Sequence, residues 1–529
     1  MSLETLHHGS ASHHGRNGAS QIARRYDYVI VGGGSAGCVV ARRLLDDTDA
    51  TVLVLEAGRS DEAVRSISNP PQWLEHIGSP YDWAYHYAPG PHVDHHSIPL
   101  ALGKVLGGSG SINAMTWARG HRADYDGWAQ AGNPGWDFES VLPLFKKSED
   151  WEGGESAIHG AGGPIRVERP TQLDPIPAAL IDAGRAFGMP YLDDMNVPEP
   201  EGVGRMTVNV RGRTRCSPSL AYLWPVMGKP DLTVVTEAQV VALALTGTRC
   251  AGVEFILDGE LHSVAAAREV ILCAGAIHTP RLLMLSGIGP CDDLARLGIH
   301  TVVDLPGVGR NLQDHPLAAG LCFEARHPLP PRRINGSEAT GFWRSRAGLG
   351  RPDLMFLCPR SAFVSAEVAA QQVLPPDTFS IVPALVRPLS RGHLRLTTAD
   401  LGSPLEIQPN FLSERADVEA LMAGIDIGCE LASQRAFRDL IRRWVVPPAR
   451  MSRAEREAFA RRSCSTYFHP VGTCAMGSGT EAVVDAALRV RGVEGLRIAD
   501  ASVMPTITSA NTHAPAVMIG EFASRLLRR

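Results

Sequence analysis

The chain has 529 residues, 44% of them apolar and 20% charged, with a formal net charge of −5. That length allows two or more domains, and the weakly acidic balance leaves no basic footprint for nucleic acid. No apolar run approaches the roughly 18–20 residues that cross a bilayer, and no N-terminal apolar segment reads as an export signal, so a soluble cytoplasmic protein is expected.

Residues 1–24 are polar, with His7, His8, His13 and His14 among Gly, Ser and Asn. They read as a disordered leader or tag remnant rather than a metal site. The first structured text is Tyr26 to Glu56. A short apolar strand, Tyr28 to Val31, runs into Gly32, Gly34 and Gly37 in G-x-G-x-x-G spacing. A helix over Ala36 to Leu45 and a second strand, Thr51 to Leu55, follow, and the unit ends in Glu56. Gly32 permits the tight turn, Gly34 lets backbone N–H groups approach a diphosphate, and Gly37 lets helix and strand pack closely. The helix N-terminus offers unpaired N–H groups to that diphosphate, and Glu56 is placed to accept from a ribose hydroxyl. The unit predicts a dinucleotide and leaves NAD and FAD open.

Past a loop-rich stretch containing Trp83, the run Gly103 to Gly120 carries Gly107, Gly108 and Gly110 among apolar residues. A mobile linker would be polar throughout, so this text predicts backbone lying against a flat ligand, with Asn113 as a polar contact. Residues 136–150 read as helical and 231–256 as strands. Glu269 to Cys273 reads as a buried strand entering Ala274-Gly275, with a helix following Pro280 in its first turn. Asp304 to His315 reads as a cluster of turns. Between 320 and 465, alternating strand text (GHLRLTT, PLEIQPNF) precedes an amphipathic helix, and Arg344, Arg387 and Arg391 read as solvated side chains. The ten cysteines are scattered without a C-x-x-C pair, which predicts reduced thiols. No metal-ligand spacing and no serine nucleophile elbow are present.

Near the end, His469 lies before Pro470 in apolar text, where a satisfied core histidine is the plain alternative to a catalytic one. Taken alone, Asp500 reads as the N-cap of the turn that follows it, and Asn511 as the cap of a helix beginning near Ala514-Pro515.

The run Gly103 to Asn113 resembles the first signature of the glucose–methanol–choline (GMC) oxidoreductases. Ala274 to Gly289 resembles the second, and the blocks from Tyr467 and Asp500 resemble the family's C-terminal part, all in the family's order. The resemblance implies an α/β (α+β) fold. A Rossmann-like FAD-binding domain is assembled from residues 25–135, 201–319 and 466–529, with a substrate domain on an antiparallel sheet from 136–200 and 320–465. Cofactor contacts are then expected at Gly32, Gly34, Ser35, Ala36, Glu56, Ala57, Trp83, Val105, Gly108, Asn113, Ala114, Val240, Ala274, Gly275, Asp500, Ala501, Asn511 and Thr512. His469 aligns with the histidine that takes the alcohol proton and Asn511 with its partner; Phe468, bulky and beside His469, and His513, whose neighbours line the same turn as Asn511, are expected on the substrate side. Some relatives bind FAD covalently through a histidine at the position of Ile112, so non-covalent FAD is expected here. The implied reaction oxidises a primary alcohol to the aldehyde, with oxygen or a respiratory acceptor reoxidising the flavin. The branch most resembled handles small aromatic or heteroaromatic alcohols, as hydroxymethylfurfural oxidase and pyridoxine 4-oxidase do. Choline and aliphatic alcohol dehydrogenases share the same blocks, as do flavin-containing hydroxynitrile lyases with no net redox.

Overall fold

A computed structural model describes residues 22–448 and 451–528 of the chain. The leader expected over 1–24, with its histidines, lies outside the described residues except for 22–24.

Apolar, β-branched runs bounded by turns make parallel strands buried on both faces. Leu232–Val235, Val52–Leu55, Arg25–Val31 and the end of Glu260–Leu272 line up in that order, and Leu496–Ile498 pairs beyond them. The start of Glu260–Leu272 turns antiparallel and extends the same sheet through Arg249–Leu257 to Gln239–Thr246. Ser35–Asp47 and the C-terminal helix His513–Leu527 pack together against it.

A second sheet is antiparallel throughout, in the order Cys464–Thr466, Pro316–Ala318, Val382–Leu385, Leu354–Leu357, Ala339–Trp343, Gly202–Arg205. Helix Arg415–Ser433 backs it. Two strands here were expected with the cofactor domain. Gly202–Arg205 and Pro316–Ala318 take their hydrogen bonds from this sheet, so the expected boundaries at 201 and 319 cut through it. The alternating strands His393–Leu396 and Leu405–Gln408 pair with each other as a two-stranded hairpin on helix Gly275–Leu285.

That helix corrects a second expectation, because Pro280 sits inside it rather than in its first turn. A proline at that position frees the carbonyl of Ala276. The hydroxyl of Thr473 donates to that carbonyl at 2.6 Å, which ties the helix to the segment after His469.

The loop beyond Asn113 is held from below by a buried polar network. Arg119 and Glu149 form an ion pair with both side chains inaccessible. Trp117 Nε1 donates to Glu149 at 3.3 Å, and His159 bridges Glu149 at 2.9 Å and Asp194 at 2.7 Å. Burial opposes charge on His159, but the hydrogen bonds to Asp194 and Glu149 outweigh it and raise its pKa above the ordinary value. A raised histidine pKa adds stability that is complete below the unfolded-state pKa, about 6.5, and is lost as pH rises through the folded-state value. His159→Gln is therefore expected to flatten the decline of urea midpoints above about pH 6.5. Parallel pH profiles for the two proteins would contradict this.

Candidate active site

One cavity is walled by strand ends of both sheets and collects most of the residues singled out from the sequence. Its first half begins at the glycine turn. Gly32 has φ +99°, and a Cβ there would lie 2.5 Å from the Cys273 carbonyl oxygen, so only glycine fits. A Cβ on Gly34 would meet protein no closer than 3.8 Å, so the room beside it belongs to the cavity. No side chain caps Ser35–Asp47, which leaves its first-turn N–H groups and dipole for a ligand. Glu56 Oε2 accepts from Gly33 N–H at 2.8 Å and Oε1 from Gly58 N–H at 2.7 Å, and each oxygen keeps a lone pair. Burial pushes this carboxyl up to about 7 against those two bonds. Asp500 is the turn cap read for it. It lines the cavity, caps the turn Ala501–Val503 through Ser502 N–H, and accepts from Gly275 N–H at 2.9 Å.

Ser35, Ala36, Ala57, Trp83, Gly108, Asn113, Ala114, Val240, Ala274, Gly275, Ala501 and Thr512 line the same cavity. Val105 does not. Its side chain turns away into a small apolar cluster with Ile67 and Ile112. Arg344, Arg387 and Arg391 also lie off this cavity, and Arg344 pairs with Glu201 at 2.6 Å. Two buried polar atoms on its walls, Asn511 Oδ1 and His513 Nε2, have no partner among the described residues. With an uncapped helix end, a carboxylate with free lone pairs and apposed glycines, they fit a nucleotide-bearing cofactor.

At the other half, Phe468 adopts φ +62°, a left-handed conformation uncommon for a bulky residue. Thr466 Oγ1 accepts its N–H at 2.8 Å, and Asp314 Oδ1 accepts the N–H of His469 at 2.9 Å. These bonds hold the turn that aims the His469 imidazole into the cavity. Asp314 Oδ1 also accepts the His315 N–H at 2.7 Å, and Oδ2 accepts from the hydroxyls of Tyr87 and Thr466. Burial pushes Asp314 up to about 6 in spite of these donors.

His469 Nδ1 lies 2.9 Å from His315 Nδ1, and His469 Nε2 lies 3.3 Å from Asn511 Nδ2. The other His315 ring nitrogen, Nε2, is buried and has no hydrogen-bond partner among the described residues. Of the two facing Nδ1 atoms one donates and the other accepts, and with the proton on His469 Nδ1 the lone pair of that ring is on Nε2. Burial, helped by the neighbouring His315, holds His469 well below the usual histidine range, so it is neutral at physiological pH. Asn511 is not a helix cap. The helix starts at His513 after Thr512, with no side-chain cap, and the Asn511 side chain faces His469 instead.

His513 also lines the cavity, with its Nδ1 3.2 Å from Ser35 Oγ and its ring edge-on to Trp117. The sequence reading missed Asp314 and His315, taking Asp304 to His315 as turns only. Gln313 from the same run bonds Ile507 N–H and the Pro505 carbonyl, each at 3.1 Å, clamping the loop that leads to Asn511. The available signal was the density of polar side chains in Asn311-Leu312-Gln313-Asp314-His315 directly before an apolar strand.

Comparison with known proteins places these blocks in context. An N-terminal family model described as GMC oxidoreductase matches residues 26–317, and its C-terminal counterpart matches 388–520. The chain is 37% identical to mitochondrial choline dehydrogenase of Mus musculus over 539 residues, covering 95% of this chain and 89% of that one. It is 41% identical to an uncharacterised GMC-type oxidoreductase of Mycobacterium tuberculosis over 530 residues, covering 95% and 99%. Among solved structures, pyridoxine 4-oxidase from Mesorbium loti superposes with a TM-score of 0.90 at 35% identity, covering 94% and 98%.

Proposed function

The chain belongs to the GMC oxidoreductase family and is an FAD-dependent oxidoreductase acting on CH–OH donors, and from that premise we propose that it oxidises a small, uncharged aromatic or heteroaromatic primary alcohol to the aldehyde. When bound, FAD supplies the hydride acceptor. Gly32, Gly34, Ser35 and Glu56 would hold its adenosine-diphosphate end, and Asn113, Ala114 and Asp500 would lie along the rest. His469 Nε2 takes the hydroxyl proton. Asn511 Nδ2, 3.3 Å away, donates to the same alcohol oxygen and orients it. An amide has no lone pair basic enough to take a proton at neutral pH, so base duty falls to His469 alone.

The observation that carries the substrate class is the wall beside His469. Trp73, Phe363, Tyr467 and Phe468 line it with Leu317, Leu357 and Val382, and its polar members Asn335, Ser337 and Ser361 are neutral. The charged side chains on the cavity wall other than histidines are Glu56, Arg281 and Asp500. Both carboxylates are held by backbone N–H groups of the glycine turns, Glu56 by Gly33 and Asp500 by Gly275, and Arg281 is bonded to the Ser403 carbonyl, so the aromatic wall itself offers a cationic alcohol no carboxylate. The second reading, choline oxidation, has in its favour the choline dehydrogenase relative and the aromatic walls, which can hold a quaternary ammonium through their π faces.

The test is anaerobic mixing with an alcohol panel, followed by the same panel under air with peroxide measured. Benzyl-type alcohols are expected to bleach the flavin at least about tenfold faster than choline, since one uncompensated charge costs more than 1.4 kcal/mol. Faster bleaching by choline would replace the aromatic reading, and a flavin that no alcohol bleaches would favour a lyase. A separate expectation follows from Ile112, which lines the cavity where some relatives carry the linking histidine. Acid precipitation is expected to release all FAD into the supernatant; a yellow pellet would contradict non-covalent binding.

A further inference from the structure

Arg215 is 1% exposed and lies behind the loop that carries Gly110 and Asn113. Its Nε donates to the Ile67 carbonyl at 2.9 Å and its NH1 to Asn113 Oδ1 at 2.9 Å, with the Gly110 carbonyl at 3.5 Å. Its NH2 has no partner, and no carboxylate pairs with it among the described residues. A buried guanidinium without an anion is costly and rare. The titratable groups it acts on are His513 and His76, and burial holds both of those toward the neutral form. Asn113 Oδ1 also accepts from Met115 N–H at 2.9 Å, so two donors fix the amide and leave Nδ2 as a donor on a residue that lines the cavity.

We propose that Arg215 is the buried counter-charge for an anionic part of the bound flavin nucleotide, acting through the Asn113 amide that it orients. The inference rests on the FAD reading above. Two sources of negative charge are available. The diphosphate is present at all times, whereas hydride reduction adds one charge to the ring system. Arg215 is a positioning residue, since it reaches the cavity only through Asn113 and the Gly110 carbonyl.

The experiment measures the dissociation constant of oxidised FAD and the midpoint potential of the bound flavin in wild type, Arg215→Met, Arg215→Lys and Asn113→Asp. If the charge serves the reduced ring, Arg215→Met lowers the potential by about 30–60 mV, a tenfold to hundredfold loss of preference for the reduced form, with oxidised FAD binding moved less than about threefold. If it serves the diphosphate, FAD binding weakens about tenfold or more and the potential stays. Arg215→Lys keeps the charge and is expected to recover most of either loss. Asn113→Asp places a carboxylate against the guanidinium and is expected to shift the same quantity in the same direction, which keeps the test open if Arg215→Met does not fold. The proposal is overturned if neither quantity moves beyond about threefold in Arg215→Met or Asn113→Asp, or if Arg215→Lys is as impaired as Arg215→Met. A wild-type chain that takes up no FAD would instead remove the cofactor reading, a distinct result.

Discussion

Replacing His469 with alanine is expected to slow flavin reduction by about 10²–10⁴-fold while FAD stays bound, the usual worth of a positioned general base. Binding is expected to survive because the groups assigned to the cofactor, from Gly32 to Glu56 and at Asp500, take no hydrogen bond from His469. The proton has nowhere else to go at comparable cost. Asn511 is an amide, and His315 is fully buried behind His469 with its Nδ1 engaged. Because burial and His315 hold His469 well below the ordinary pKa, the wild-type rate is expected to be flat from neutral pH upward and to fall only as acid protonates Nε2. Stopped-flow reduction by a saturating alcohol reads both quantities. A variant within about threefold of wild type would remove His469 from the role.

The second large effect is on stability, at Asp314. Its Oδ1 accepts two backbone N–H groups, those of His315 and His469, and its Oδ2 accepts two hydroxyls, those of Tyr87 and Thr466. Backbone donors cannot turn round, whereas hydroxyls can. Asp314→Ala strands two buried N–H groups, each worth about 1–3 kcal/mol, and leaves a cavity besides, so a loss of about 3–5 kcal/mol is expected. Against a total stability of about 5–15 kcal/mol that is a severe lesion. Asp314→Asn keeps a carbonyl for the N–H groups and offers its amine to the hydroxyls, which reverse, so a loss of about 1 kcal/mol is expected. Urea midpoints at constant m-value separate the two variants. Equal losses would mean that charge, and not acceptor geometry, is what this site needs.

The glycine turn, the strand before it and Glu56 were legible because each answers a local demand. Gly32 must take a positive φ, the strands must be apolar to be buried on both faces, and the acid must end the second strand. The helix around Pro280 was misplaced because its compensation, the Thr473 hydroxyl on the Ala276 carbonyl, comes from almost two hundred residues away. Val105 was misassigned for a similar reason. Sequence placed it in the cofactor loop, but side-chain direction is decided by whether Ile67 or the cavity lies beneath it.

By itself, then, the sequence determined a dinucleotide unit, a family-like order of blocks and the identity of His469 and Asn511 as a pair. Tertiary structure decided what surrounds that pair. The His315 nitrogen behind His469, the Asp314 carboxylate holding both backbones and the neutral aromatic wall all depend on distant segments meeting in one cavity. Local propensity carries no record of such meetings, because hydrogen-bond partners far apart in the chain are chosen by sheet pairing and packing.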